Sequence, residues 1–264
     1  MARMARHERL STLLDLLGQR EKIDVEDVAE ELNVSAATIR RDLDHLAEQQ
    51  LLTRTRGGAV ANDLAYDLPL RYKTARHVPE KQRISVAAAA MVAQGMVVGL
   101  NGGTTTAGVA RSLATRSDLA SLRDSPGLTV VTNALNIAHE LAVRPHVKIV
   151  VTGGVARPQS FELSGPLATR VLSELTIDLL FLGVDAFDPE AGAFAHHEGE
   201  ASINRLMVER AERVVAVADG SKLGRRAFAR ICATSQVHAL VTDSQADPKA
   251  LRAFEAAGVE VQAV

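Results

Sequence analysis

Tryptophan is absent from this chain, and tyrosine occurs only twice among aromatic residues that make up 3% of the total. Single-stranded nucleic acid is held by stacking its bases on aromatic side chains, and there is little material here for such platforms. Cysteine is as scarce: the single Cys232 cannot close an intrachain disulfide, which excludes a disulfide-stapled scaffold. Long hydrophobic runs are missing too. The most apolar stretch, VAAAAMVA at residues 86–93, falls far short of the roughly 20 residues that span a bilayer. The opening MARMARHERL has no apolar run fit for a signal peptide. These absences predict a cytoplasmic protein with no membrane role. Neither sign of charge dominates: 30 Lys and Arg stand against 32 Asp and Glu, for a net charge of −2. Bulk electrostatics therefore do not announce a nucleic-acid partner, and a DNA-facing surface has to be made by sorting charges onto opposite sides.

What is present is ample core material. A length of 264 residues with 47% hydrophobic content predicts two globular domains. In residues 6–17, Leu10, Leu13, Leu14 and Leu17 recur at the spacing of one apolar helix face, with Gly18 as the expected stop. A second short helix is predicted over VEDVAEELN, with Val25, Val28, Ala29 and Leu32 inward. Asn33 and Val34 then make a turn, and Ser35 caps a third helix whose buried stripe is Ile39, Leu43 and Leu46.

At about 100° per residue, Arg41 lies roughly 200° round the helix from Ile39, directly away from the core. Arg40 and Thr38 flank it, and small Ala36 and Ala37 allow close approach to a partner. Such a helix matches the width of a DNA major groove, where an arginine can bind guanine in bidentate fashion. Ser35 and Thr38 are candidate phosphate contacts near the helix's positive end. LLTRTRGGAVA follows, predicting a strand, a tight turn at Gly57 and Gly58, and a basic wing that presents Arg54 and Arg56 to the DNA backbone. Taken alone, paired arginines on a helix are usually a solvated face. Helix, turn, capped helix and basic wing in order within about sixty residues outweigh that reading.

VEDVAEELNVSAATIRRDLDHLAEQQLLTRTRGGA resembles the helix-turn-helix signature of the DeoR family of bacterial transcriptional regulators. The resemblance implies that double-stranded operator DNA is the partner and that the third helix and wing read it. Ile39 and Leu43 are assigned to the core, and Asp42 to an ion pair within its own helix rather than to base reading. The helix-turn-helix is placed at about residues 23–42, within a winged domain at 1–61.

Residues 62–79, with two prolines and many charges, read as a linker. From residue 80 to 264, short β-rich runs alternate with helical ones, which predicts a parallel α/β sheet. In an open sheet of that kind, ligands lie outside the carboxyl ends of the strands. Those ends carry Asn101, Gly103, Thr104, Thr105, Thr132, Asn133, Gly154, Asp185 and Lys222, a polar set suited to a ligand rich in hydroxyls. Strand-ending Asn and Asp also serve simply as helix caps, which explains part of the set. GGTTTAG is the sharpest feature, because glycines before a helix let backbone N–H groups approach an anion. It lacks the Walker lysine and is not a dinucleotide fingerprint, so a nucleotide is not expected.

These segments also resemble the DeoR-family C-terminal domain, which is similar in fold to ribose-5-phosphate isomerase and binds phosphorylated sugars or related metabolites. The matching pieces include Gly103–Thr105, Thr132 and Asn133, Gly153 and Gly154, Ser164–Leu167, Asp185, Glu200 and Lys222. By that likeness the threonine loop holds phosphate, and Asp185, Glu200 and Lys222 surround the ligand. One departure is Asn101, where family members usually carry Asp; the amide keeps a hydrogen-bonding carbonyl and cannot ionise. His196 and His197 read as loop histidines rather than a metal site. The expectation is a homo-oligomeric repressor of a carbohydrate-metabolism operon, with no cofactor, no metal and no catalytic residues. The alternative is a sugar-phosphate isomerase with Asp185 or Glu200 as general base, and an interaction scaffold that has lost its ligand is a third reading.

Overall fold

A computed structural model describes residues 5–20, 22–49, 51–61, 69–74, 77–120 and 126–264. The chain divides into two compact units, Met1–Arg76 and His77–Val264.

In the first unit, α1 (Arg6–Arg20) buries Leu10, Leu13, Leu14 and Leu17. It runs past Gly18, where the sequence predicts a stop. A helical glycine costs about 1 kcal/mol, and the extension is held by Arg20, whose guanidinium donates two hydrogen bonds to Glu31 at 2.9 and 3.1 Å. A short strand unforeseen in the sequence, β1 (Lys22–Asp24), leads into α2 (Val25–Glu31), and the Asp24 side chain caps that helix by accepting from the Glu26 amide. Asn33 takes a left-handed conformation (φ 52°) and turns the chain into α3 (Ala36–Glu48). Strands β2 (Leu52–Thr55) and β3 (Gly58–Ala61) form the wing hairpin, and β1 joins it in the order β1-β3-β2.

The expected linker contains structure. A helical turn, α4 (Leu70–Lys73), buries Tyr72 among the leucines of the first unit. The Tyr72 hydroxyl donates to Gln49 at 2.6 Å, and the Tyr72 carbonyl accepts from the Ser11 hydroxyl at 2.8 Å. Charge and proline hide this turn in the sequence, and one aromatic anchor creates it. Residues 62–68 and 75–76 of that linker lie outside the described residues.

The second unit opens with α5 (Val78–Ala90) and is built on a seven-stranded sheet in which every neighbouring pair is parallel. Its strands are β4 (Val97–Leu100), β5 (Leu128–Thr132), β6 (Val147–Val151), β9 (Ile177–Gly183), β12 (Ala211–Val217), β14 (Ala239–Thr242) and β15 (Glu260–Ala263). Their order is β15-β14-β12-β9-β4-β5-β6. Helices α5, α6 (Thr104–Ala114) and α7 (Leu135–Leu141) contribute to one core cluster, while α8 (Pro166–Ser173), α9 (Glu198–Glu209) and α10 (Pro248–Ala256) contribute to another. Along β9 the period of two is explicit: Leu179 and Phe181 belong to the first cluster, Leu180 and Leu182 to the second.

Two smaller pieces decorate the carboxyl side. A hairpin pairs β7 (Val155–Ala156) with β8 (Leu163–Ser164). An antiparallel sheet joins β10 (Ala186–Asp188), β11 (Gly192–Ala195) and β13 (Ala229–Cys232). Neither is evident in the sequence, because strands of two to four residues are too short to establish a period.

Candidate functional site

On α3 the Ser35 hydroxyl accepts from the Thr38 amide at 3.2 Å and lies 2.8 Å from the Thr38 hydroxyl, so both side chains serve the helix start. Ile39, Leu43 and Leu46 are fully buried, and Arg41 stands on the exposed side. Asp42 is buried. Its partners are Arg9 at 2.5 Å and Arg6 at 3.8 Å, both on α1, so the ion pair expected within α3 instead ties two helices together.

The four arginines assigned to DNA are not equivalent. Arg40 is paired with Glu26 on α2 at 2.6 Å, with both groups more than half exposed. Arg54 donates to Asp44 of α3 at 2.8 Å and to the Gly58 carbonyl, so it braces the wing against the helix. Arg41 and Arg56 are exposed, and no ion pair engages either one among the described residues.

In the second unit β4 and β9 lie side by side, although the chain runs from β4 outward to β6 and from β9 outward to β15. That is the topological switch point, where the loops leaving adjacent strands part and open a crevice. Asn101 sits there, 1% exposed. Its Nδ2 donates to the Gly183 carbonyl at 2.9 Å and its Oδ1 accepts from the Gly183 amide at 2.7 Å. Asn101 is therefore a brace between the ends of β4 and β9. Its amide is turned onto backbone.

Gly102 and Gly103 follow, and α6 begins at Thr104. Gly102 is required by close approach: a Cβ there would lie 2.2 Å from Cγ of Glu162. Thr104 is half-buried and Thr105 buried in the first helical turn, while the Ser85 hydroxyl of α5 donates to the Thr105 carbonyl at 3.1 Å. Thr132 is spent locally, its hydroxyl accepting from the Ala134 amide at 3.1 Å. Asn133 is wholly buried and donates through Nδ2 to Glu162 at 3.0 Å. Gly154 allows the hairpin to turn, since a Cβ would stand 2.6 Å from the Ser164 carbonyl oxygen.

Beyond β9, Asp185 accepts from the His196 amide at 3.0 Å and lies 4.0 Å from the Lys222 ammonium. Glu200, in the first turn of α9, is buried and pairs with Arg157 at 3.0 Å. His197 caps that helix by accepting from the Gly199 amide, a structural use of the second histidine. Asp219 is 2% exposed. Burial raises its carboxyl pKa, but the Ser221 hydrogen bond and the charges of Lys222, His77 and Lys81 outweigh that effect and hold it below the ordinary carboxylate value.

Residues 9–64 match the DeoR-like helix-turn-helix domain, and residues 76–244 match the DeoR C terminal sensor domain. The chain belongs to the DeoR family of transcriptional regulators. It is 34% identical to the HTH-type transcriptional regulator GlpR of Haloferax volcanii, covering 96% of each protein. It is 34% identical to a putative aga operon transcriptional repressor of Escherichia coli O157:H7 over 96% of this chain and 92% of that one. The glycerol-3-phosphate regulon repressor of Escherichia coli K12 is 30% identical, with 91% and 92% covered. Among solved structures, ribose 5-phosphate isomerase A of Methanocaldococcus jannaschii overlaps 54% of this chain and 52% of its own, at 20% identity and TM-score 0.38.

In this DeoR-family chain, the residues proposed from sequence for a ligand occupy the end of β5, the segments after β4, β5, β6, β9 and β12, and the first turns of α6 and α9. Arg157 and Glu162 were missed. Both lie in the β7–β8 hairpin, and the only sequence signal for them was two charged residues in a stretch otherwise poor in charge.

Proposed function

We propose that this regulator represses a carbohydrate-metabolism operon and that a phosphorylated sugar, bound at the switch point of the sensor sheet, relieves or modulates that repression. The observation that carries this reading is the Gly102–Gly103 loop running into the first turn of α6, with Lys222 beside Asp185 across the crevice. Free N–H groups at a helix start and a nearby ammonium suit a phosphate, and the surrounding carboxylates and amides suit hydroxyls. The relatives named as aga operon and glycerol-3-phosphate regulon repressors support the carbohydrate association.

DNA reading is assigned to α3, with Arg41 against base edges and Arg56 against phosphate. Ser35, Thr38, Arg40 and Arg54 support them from the helix start and the wing, and Arg40 exchanges Glu26 for phosphate on binding. The protein acts in the cytoplasm as a homo-oligomer. Its paired α3 helices meet half-sites about 34 Å apart or a multiple of that spacing, and effector binding changes their separation or orientation.

The test combines mobility shift with ligand screening. Arg41→Ala is expected to weaken specific operator binding by about 1–3 kcal/mol while leaving effector affinity unchanged. Lys222→Ala is expected to do the reverse. Normal operator binding by Arg41→Ala would overturn the assignment of the outward face. Turnover of pentose phosphates at an isomerase's rate, without DNA binding at low salt, would favour the enzyme reading instead.

A further inference from the structure

His45 has no part in the DNA reading above, yet it stands beside the residue that leads it. At about 100° per residue it lies roughly 40° round α3 from Arg41 and one turn further along, on the same flank as Thr38. It is half-buried, and its two ring nitrogens have different surroundings. Nε2 is 2.8 Å from the amide nitrogen of Gln49, the residue that closes the helix. Nδ1 makes no hydrogen bond and no ion pair among the described residues, and it is not one of the buried side-chain atoms left without a partner. It is therefore open to solvent.

Gln49 decides which of those nitrogens carries the proton. The Tyr72 hydroxyl donates to Gln49 Oε1 at 2.6 Å, so the amide turns its N–H toward His45. An N–H needs a lone pair to meet, and a neutral imidazole has one on a single nitrogen. Nε2 is thus the acceptor, and the proton sits on Nδ1, the nitrogen that reaches solvent. Tyr72 is itself held at three points: its ring is buried among the leucines of the first unit, its carbonyl accepts from Ser11 of α1, and its hydroxyl meets Gln49. A merely solvated histidine needs no such chain behind it.

We infer that His45 is a further DNA contact of α3, its Nδ1–H donating to a phosphate oxygen beside the groove that Arg41 enters, with Gln49 and Tyr72 as positioning residues that hold the ring's tautomer. The inference rests on the DNA reading of α3 and adds one residue to it. Side chains on the flank of a groove-binding helix meet the backbone rather than base edges, and a phosphate oxygen accepts only, which suits an N–H donor. Because the ring is neutral, the contact fixes the helix on the duplex without releasing a counterion. It also makes a contact of α3 depend on α4, which carries Tyr72.

Fluorescence anisotropy of the full chain on a labelled duplex from the region upstream of its own gene, against a scrambled duplex of equal length, tests the contact. His45→Ala is expected to weaken specific binding about tenfold, the scale of one hydrogen bond to a charged group. The slope of log affinity against log salt is expected to stay unchanged, because a neutral donor is lost. Tyr72→Phe keeps the ring and removes the hydroxyl. It is expected to weaken binding about threefold in the wild-type background, near the low end for coupled residues, and to have no effect once His45 is Ala. A general loss of stability would act in both backgrounds. In nitrogen NMR spectra at pH 8, the His45 ring is expected to carry its proton on Nδ1. Binding by His45→Ala within about twofold of wild type, a shallower salt slope for that variant, equal losses from Tyr72→Phe in both backgrounds, or a proton on Nε2 would each overturn the inference. Should any of these occur while Arg41→Ala still abolishes specific binding, the DNA reading stands without His45. Wild type that prefers neither duplex overturns both.

Discussion

Cys232 shows how environment decides what a residue type can do. It lies at the end of β13, 4% exposed, and burial pushes its thiol up to about 11, against smaller lowering effects from the Ala193 backbone and from Arg205 and Arg230. Only the thiolate is nucleophilic, and three units above working pH leaves about one molecule in a thousand ionised at pH 8. An aromatic disulfide reagent is therefore expected to find no reactive thiol in the native protein at pH 8 and one per chain after denaturation. Rapid labelling of native protein would contradict the packing of β13. The same dependence on surroundings separates residues that look alike in sequence. Arg40 and Arg41 are adjacent, yet one is paired with Glu26 and the other is not, because the partner comes from fourteen residues away on a different helix. Asn101 similarly reads as one more polar strand end, and only the neighbouring β9, eighty-two residues on, shows that its amide is committed to Gly183.

At the scale of elements, α1, α2 and α3 were legible because each carries an apolar stripe. Leu10 to Leu17 and Ile39 to Leu46 are long enough to show a period, and Ser35 marks a start. Crossing contacts leave no such trace. The buried Asp42 joins α3 to Arg9 and Arg6 of α1, and removing one partner of a buried pair strands a charge in the core. Asp42→Ala is expected to destabilise the first unit by about 3–5 kcal/mol, read as an earlier transition in urea denaturation followed by helix ellipticity. A loss under about 1 kcal/mol would place the pair among weak surface ion pairs. The β7–β8 hairpin escaped sequence reading for a related reason: its chemistry depends on Arg157 reaching Glu200 and on Glu162 reaching Gly102, contacts forty-three and sixty residues apart.

For the whole molecule, the apolar clusters of the two units share no residue among the described residues. The core of the first unit ends with Tyr72, and the clusters that flank the large sheet begin with Ile84. Units with closed cores of their own fold independently. A chain beginning at His77 is therefore expected to bind the effector as tightly as the full protein and to bind no operator. A loss of effector affinity beyond tenfold would mean that the first unit completes the ligand site. The broad plan, a helical DNA reader followed by a parallel sheet, was visible in sequence because alternation of short and long periods survives over two hundred residues. The crevice was visible only in outline, since strand ends can be located but the hairpin folded over them cannot.

The buried phenol of Tyr72 carries a practical consequence. With indole absent throughout and the only other phenol at Tyr66, outside the described residues, all tyrosine emission originates in the first of the two units. The Tyr72 hydroxyl is tethered to Gln49, the residue that closes α3, so its share of that light reports on the end of this helix. An unlabelled sample thus carries its own optical gauge, silent to anything that stays within the sensor and responsive once a signal crosses to the helix.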